Sequence, residues 1–286
     1  MSIPLGIIFG IIAMIGWGVA DFFAAKAVRK TGVLKTFLWS QIIGLILFFI
    51  IFSLFFKLPL LSFNTIGIIS IAGFLGVISW LAFYKGMQIG KVSIVSPIAA
   101  CWAVVTVILS LIFLNEKLTM LQAVGVGLAI LGAVMASFKL HDLLKLRLKN
   151  IAIGVEYAII ALLGWGVYFV LIGFLAAELK WFLPIFLIKT ATVFYLFIYS
   201  GVAKKNISFP KNAASFILLI GILEFAAFLS YGLGISYEYT AVVAPIGAAF
   251  PMVTVILARI FFKETLELNQ KIGIVSVLAG LVLLSI

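Results

Sequence analysis

The chain has a single histidine, a single cysteine and only 9 acidic side chains in 286 residues. Each scarcity excludes something. Cys101, alone inside an apolar run, rules out a disulfide within the chain. Cys101 and His141 together cannot make a common His/Cys zinc site, so neither a metal nor a cofactor is expected. No nucleophile stands beside a base in a recognisable pattern, and an enzyme is not expected either. Gly125-x-Gly127 falls in an apolar run with no strand before it, which removes a dinucleotide-binding loop. Charged residues make up 10% of the chain, against roughly 25% in a soluble domain.

Apolar residues fill the chain instead, at 65% of the total and a mean hydropathy of +1.35. A membrane span takes roughly 20 apolar residues at about 1.5 Å each. Ten runs have that character: 3–23, 34–56, 66–84, 92–114, 118–138, 151–176, 181–202, 213–235, 241–262 and 268–286. The expected fold is an all-α integral protein of the cell membrane, crossing it ten times with short loops between. The first run is too long for a signal-peptide core and has no basic stretch before it, so it reads as the first span. The net charge of +11 does not point to nucleic acid, because the basic residues stand in loops between spans, where the positive-inside rule and anionic headgroups account for them.

The ten runs form two sets of five. Gly16-Trp17-Gly18 recurs 148 residues later as Gly164-Trp165-Gly166, Pro97-Ile98 as Pro245-Ile246, and Thr106-Val107-Ile108-Leu109 as Thr254-Val255-Ile256-Leu257. Glu116, Gln122, Gly125 and Gly132 return at the same offset as Glu264, Gln270, Gly273 and Gly280. The expected units are a first five-helix repeat over 1–140, a basic connecting loop over 141–150 and a second repeat over 151–286. An odd number of spans per repeat requires the second to lie inverted. The loop charges agree: Lys26, Arg29, Lys30 and Lys35 follow the first run, but only Lys180 follows the sixth. Conversely, Lys204, Lys205 and Lys211 follow the seventh run and only Lys57 the second. Inverted repeats meeting at the bilayer midplane are an architecture of secondary transporters. Taken literally, the charges place both termini outside.

A charge inside a span costs about 2.5–3.5 kcal/mol on insertion scales, so each needs an account. Glu224 lies near the middle of the eighth run and Lys189 inside the seventh. Two accounts of Glu224 stay open: it faces a water-filled cavity and takes a proton or a cationic group, or it forms an ion pair with Lys189 that fixes helix packing. Lys189 fits the pair, or snorkels toward the Trp181 end. Glu224, Phe228 and Tyr231 share one helical face. Under the 148-residue shift their counterparts are Gly76, Trp80 and Phe83. Trp17 and Trp165 are too deep for an interfacial belt and read as cavity lining or core, with Tyr168 one turn from Trp165. Aromatic rings beside an acid suit an amphipathic or cationic solute.

Asp21, at the loop end of the first run near Lys26 and Arg29, reads as a surface acid or a gate-closing partner, with a coupling carboxylate as the alternative. Glu156 is read the same way, and Glu116 and Glu264 share a structural role at the ends of matched runs. Pro97 and Pro245 stand near the starts of matched runs, and Pro251, deep in the ninth, matches Ala103. A mid-helix proline frees a carbonyl one turn earlier, here that of Gly247, for a ligand or a kink. These prolines are candidates for gating. Gly125, Ala129, Gly132 and Ala136 form a small-residue stripe, partly repeated by Gly273, Ser276 and Gly280, suited to close contact within the chain or in a homodimer through helices five and ten.

The combined pattern of Gly-Trp-Gly in the first helix, Ser96-Pro97-Ile98 and Ala244-Pro245-Ile246 opening the fourth and ninth, Glu116 and Glu264 closing them, and glycines along the fifth and tenth resembles the drug/metabolite transporter superfamily, most closely its EamA family. The resemblance implies a central cavity lined by helices one, three, four, six, eight and nine. Trp17, Trp80, Trp102, Trp165, Glu224, Tyr231 and Phe250 lie on those helices; Lys189 does not. Members of the superfamily are drawn with both termini inside, whereas the loop charges here put both outside, and the charges are followed. The expected function is secondary transport, by alternating access, of a small organic metabolite such as an amino acid or a similar amphipathic or cationic solute, in the direction of export. The alternative is a non-transporting membrane protein that binds a lipid or partner subunit through its glycine-rich helix faces.

Overall fold

In a bilayer the backbone must satisfy its own hydrogen bonds, and these apolar runs do so as helices whose ends a few polar residues and glycines define. The computed structural model describes residues 4–90, 92–141, 153–262 and 266–285, with the side chains of Val92, Ser93, Ala258 and Phe262 left aside. In the first half α1 spans Leu5–Thr31, α2 Val33–Phe55, α3 Phe63–Ile89, α4 Val92–Ala100, α5 Trp102–Phe113 and α6 Met120–Ala136. In the second half α7 spans Val155–Leu179, α8 Leu183–Val202, α9 Ala214–Tyr237, α10 Thr240–Ala248, α11 Phe250–Phe262 and α12 Leu268–Leu284. Most of the expected connecting loop, and Glu264 and Ile286, lie outside the described residues.

Eight segments are long and apolar enough to cross a membrane, with α4–α5 and α10–α11 each counted as one. The shorter apolar helices α6 and α12 have 17 residues each. Two helices outrun their hydropathy, and one of them is α3, which covers Phe63–Ile89 where the run was expected over 66–84. The first run, expected to end at 23, continues to Thr31, because Ala, Lys and Arg lower hydropathy without lowering helix propensity. It stops at Gly32, whose φ of 82° turns the chain into α2.

Gln122 and Gln270 recur because each completes a capping box, with Thr119 at the start of α6 and with Glu267 at the start of α12. The glycines recur because α6 and α12 pack on each other. A Cβ at Gly132 would meet the backbone of Gly273 and Val277, and one at Gly280 the backbone of Gly125 and Ala129. The small-residue faces are thus occupied within the chain, and the outward faces of these helices carry Leu131, Val275 and Val282.

The halves are related by a twofold exchange. Thr106 Oγ1 donates to the Gly166 carbonyl and its counterpart Thr254 Oγ1 to the Gly18 carbonyl, both at 3.0 Å. Both glycines of each Gly-Trp-Gly face the opposite half: Gly16 and Gly18 lie against Ala227 and Val253, Gly164 and Gly166 against Ser79 and Val105. Those neighbours are themselves 148 residues apart. The arrangement is also inverted. One surface hollow gathers the start of α2 at Val33 and the position after the end of its equivalent, α8, at Lys205, with Lys85 and Tyr157. An opposite hollow holds Glu116, Lys180, Trp181, Glu238 and Thr240. The bundle therefore has a basic and an acidic end, with Leu5 and Leu284 at the acidic one.

Candidate functional site

The exchange axis runs through a ring of aromatic side chains. Trp17 meets Phe228 edge-on at 5.1 Å between ring centres, and its counterpart Trp165 meets Trp80 at 4.8 Å. Tyr231 lies 5.7 Å from Trp17, and Phe83 lies 4.9 Å from Trp165. A cavity of about 20 Å³ opens at the centre, room for roughly one water molecule. Three equivalent pairs line it: Trp17 with Trp165, Trp102 with Phe250, and Asp21 with Phe169. Trp80 and Glu224 complete the wall.

Expected residues divide into those at the wall and those behind it. Trp17, Trp80, Trp102, Trp165, Glu224 and Phe250 line the cavity, while Tyr168, Phe228 and Tyr231 do not. Tyr168 packs on Trp80, and Tyr231 on Trp17 and Phe169. Asp21 corrects the sequence reading. It is not at a loop, because α1 continues to Thr31 and carries its carboxylate into the wall that Glu224 shares. Phe169, stacked on Trp102 at 4.1 Å, was missed by sequence reasoning; the 148-residue shift from Asp21 was the available signal.

Lys189, on a helix outside the set implied by the resemblance, reaches this interior from α8. Its Nζ donates to Gln41 Oε1 at 2.7 Å and lies 3.6 Å from Glu224 Oε2. The ammonium also sits 3.7 Å from the centre of the Phe228 ring and 5.1 Å from that of Trp80. Gln41 was not anticipated as a site residue, although it is the counterpart of Lys189. On the other half the equivalent position is Gly76, where a Cβ would lie 3.2 Å from both Tyr168 and Thr192. The charge is therefore one-sided in an otherwise paired site.

Several buried polar atoms here have no hydrogen-bond partner among the described residues, namely Nε1 of Trp17 and of Trp165 and the Tyr231 hydroxyl, while Oε2 of Glu224 has only the ion-pair contact with Lys189. Buried polar groups are normally satisfied, so such a cluster calls for a polar ligand or water.

The prolines act on the helices rather than on the cavity. The fourth and ninth spans break at Cys101 and Ala249, which are equivalent, each four residues after Pro97 or Pro245. At the breaks the Cys101 N–H reaches the Ile98 carbonyl and the Ala249 N–H the Ile246 carbonyl, both at 3.2 Å. Pro251 is not mid-helix; it sits in the first turn of α11, where a missing donor is tolerated. The Gly247 carbonyl is not freed for a ligand, since the Ala249 N–H also reaches it.

The two ends differ. Thr240–Ala248 is buried throughout, with α10 packed along α5 and α6, whereas its equivalent α4 packs sparsely on α11 among the described residues. At the acidic end the Glu116 carboxylate accepts the Thr240 and Ala241 N–H groups, each at 2.8 Å, and so caps α10 from the other half. This end is sealed.

Known proteins place the chain. An uncharacterized protein of Methanocaldococcus jannaschii is 34% identical over 131 residues, covering 46% of this chain and 95% of that protein, which is thus about one repeat long. A solved structure described as "Crystal structure of protein" superposes with a TM-score of 0.78 at 15% identity, covering 99% of this chain and 98% of the other, which speaks to the fold alone. The family model for the EamA-like transporter family matches twice, over residues 4–138 and 152–286. The two matches are offset by the 148 residues that separate Trp17 from Trp165, and together with the apolar helices they make this a multi-pass membrane protein that belongs to the EamA-like transporter family.

Proposed function

We propose that the chain is a secondary transporter of a small organic solute, an amino acid or a similar amphipathic or cationic metabolite, and that it works by alternating access about the twofold axis. The observation that carries this reading is the set of unpartnered polar atoms around an aromatic cavity on that axis. The indole N–H groups of Trp17 and Trp165 are donors suited to a carboxylate or carbonyl oxygen. Asp21 and Glu224 suit an ammonium group, and the rings take the apolar body. The contracted cavity and the α10 cap that joins the halves at the acidic end fit one closed stage of such a cycle, with α4 and α11 parting to admit solute from the basic end. The basic end faces the cytoplasm by the positive-inside rule, both termini are then outside, and solute loaded from the basic end is exported.

Uptake or counterflow of a mixture of labelled amino acids in proteoliposomes tests the reading. Flux is expected with wild type and loss of flux with the Trp17→Phe/Trp165→Phe variant. No flux with wild type, given folded protein, overturns it. The alternative of a partner bound through glycine-rich faces gains no support, since those faces pack on each other.

A further inference from the structure

Alternating access requires a cavity to close when it is empty as well as when it is loaded. Closing over an unpaired carboxylate would strand a charge in a poorly polarisable interior, so carriers with such a group need a proton or a metal cation to return. Glu224 is 4% exposed and poses this problem here. The groups around it already hold an answer. Lys189, itself 5% exposed, is the sole Lys or Arg among the buried residues described. Its ammonium has a short bond to Gln41, an ion-pair contact with Glu224 and an aromatic ring from each half beside it.

The placement is more specific than that of an ordinary packing pair. Gln41 and Lys189 are the same position of the two repeats, so the bond between them crosses the exchange axis. Phe228 and Trp80 are also equivalent, so the ammonium lies between matched rings. When two inverted halves swap conformations, distances measured across the axis change least. An ammonium held there stays in reach of Glu224 on both sides of the cycle, and Gly76 leaves no second acid at the equivalent position for it to neutralise. The other titratable groups of this interior are Asp21, which shares the cavity wall but is only partly buried, Tyr84 and Tyr168, which lie within electrostatic reach of Glu224, and Tyr231, two turns along the helix of Glu224 and packed on Trp17.

We propose that Lys189 is a counter-cation built into the site: it neutralises Glu224 whenever no cationic solute is bound, and so takes the place of a coupling proton or metal ion during the return of the empty carrier. This rests on the transport reading above. An incoming ammonium group competes for Glu224 and the two rings and shifts Lys189 onto Gln41.

Wild type, Lys189→Met and Lys189→Met/Glu224→Gln are compared in proteoliposomes that contain a pH-reporting dye, with an equimolar mixture of labelled L-amino acids as probe, at pH 5.5 and 8. Thermal unfolding of the same proteins in detergent is followed in parallel. Wild type is expected to carry label without moving protons and to show only the mild acid stabilisation that partly buried Glu238 brings. Lys189→Met must bury a bare carboxylate, which protonation relieves. It is expected to be the more stable at pH 5.5, to move protons with label, and to slow at least tenfold at pH 8. The double variant is expected to return both pH responses to those of wild type. Proton movement with label in wild type overturns the proposal even if Lys189→Met fails to fold, and so does a Lys189→Met protein whose pH responses match those of wild type. No label flux with folded wild type instead overturns the transport reading.

Discussion

Gln41 and Lys189 occupy the same position of two inverted repeats and hydrogen-bond to each other at 2.7 Å. A bond between equivalent residues can form only where the exchange axis passes, so this contact places the axis beside the aromatic cavity, at the rings of Trp80 and Phe228. It also makes the site polar on one side. The amide of Gln41 accepts the charge-assisted bond that lets Lys189 stay in the interior beside Glu224.

Gln41→Leu removes that acceptor and leaves the ammonium with Glu224 alone. A loss of about 1–3 kcal/mol is expected, as for a buried donor deprived of its partner. Thermal or denaturant unfolding in detergent reads it; an unchanged midpoint would show that the bond contributes nothing.

Glu116 holds two amides at the start of α10 from the opposite half. Glu116→Ala is expected to destabilise the protein by about 1–2 kcal/mol through the lost cap. Because the cap joins the halves at the acidic end, hydrogen exchange at the Thr240 and Ala241 amides should rise more than at Val277 in α12. Equal exchange in both places would mean that the contact does not hold this end closed.

Gly273 and Gly127 separate close approach from helix propensity. A Cβ at Gly273 would meet the backbone of Ala136 and Gly132, which cannot turn aside, whereas nothing lies within 4 Å of one at Gly127. Gly273→Ala is expected to destabilise by about 1–3 kcal/mol through overpacking. Gly127→Ala should instead stabilise by about 0.4–1 kcal/mol through reduced freedom of the unfolded chain. Unfolding midpoints that move in the same direction would contradict the packing of α6 on α12.

Trp17→Phe keeps a ring but deletes an N–H that has no partner in the described structure. Little loss of folding stability is expected from the missing donor. If that donor binds solute, affinity should fall by about 2- to 10-fold, the span of one ordinary hydrogen bond. Trp165→Phe should behave alike, and quenching of the remaining tryptophan fluorescence by bound solute gives the affinity.

Glu238, just past the end of α9, is partly buried, and that burial pushes its carboxyl above the usual range. A carboxyl raised on folding binds protons more readily in the folded state. Its contribution is therefore fully present below the unfolded value and is lost as pH rises through the folded one. Glu238→Gln should reduce the gain in thermal stability that wild type shows on mild acidification. An identical pH dependence in both proteins would remove this residue from the account.

Much of the architecture was legible in the amino-acid order, since membrane insertion is governed by local quantities. Run length and hydropathy define the helices, the offset of Gly-Trp-Gly defines the repeat, and lysine placement in loops gives the inversion. Cavity residues such as Trp17 and Trp165 were readable because they are matched and lie too deep for an interface. Asp21 was misplaced because hydropathy falls at Lys26 and Arg29 although the helix does not end there.

The sequence by itself determined the repeat, its family and the helical runs, all of which follow from properties of neighbouring residues and from identity at a constant offset. Only the tertiary structure decided that Lys189 meets its own counterpart, that the glycines flanking each tryptophan seat the opposite half, and that Asp21 and Phe169 face one cavity. These are contacts between residues far apart in the chain. They depend on where the exchange axis falls, which no local pattern of hydropathy encodes.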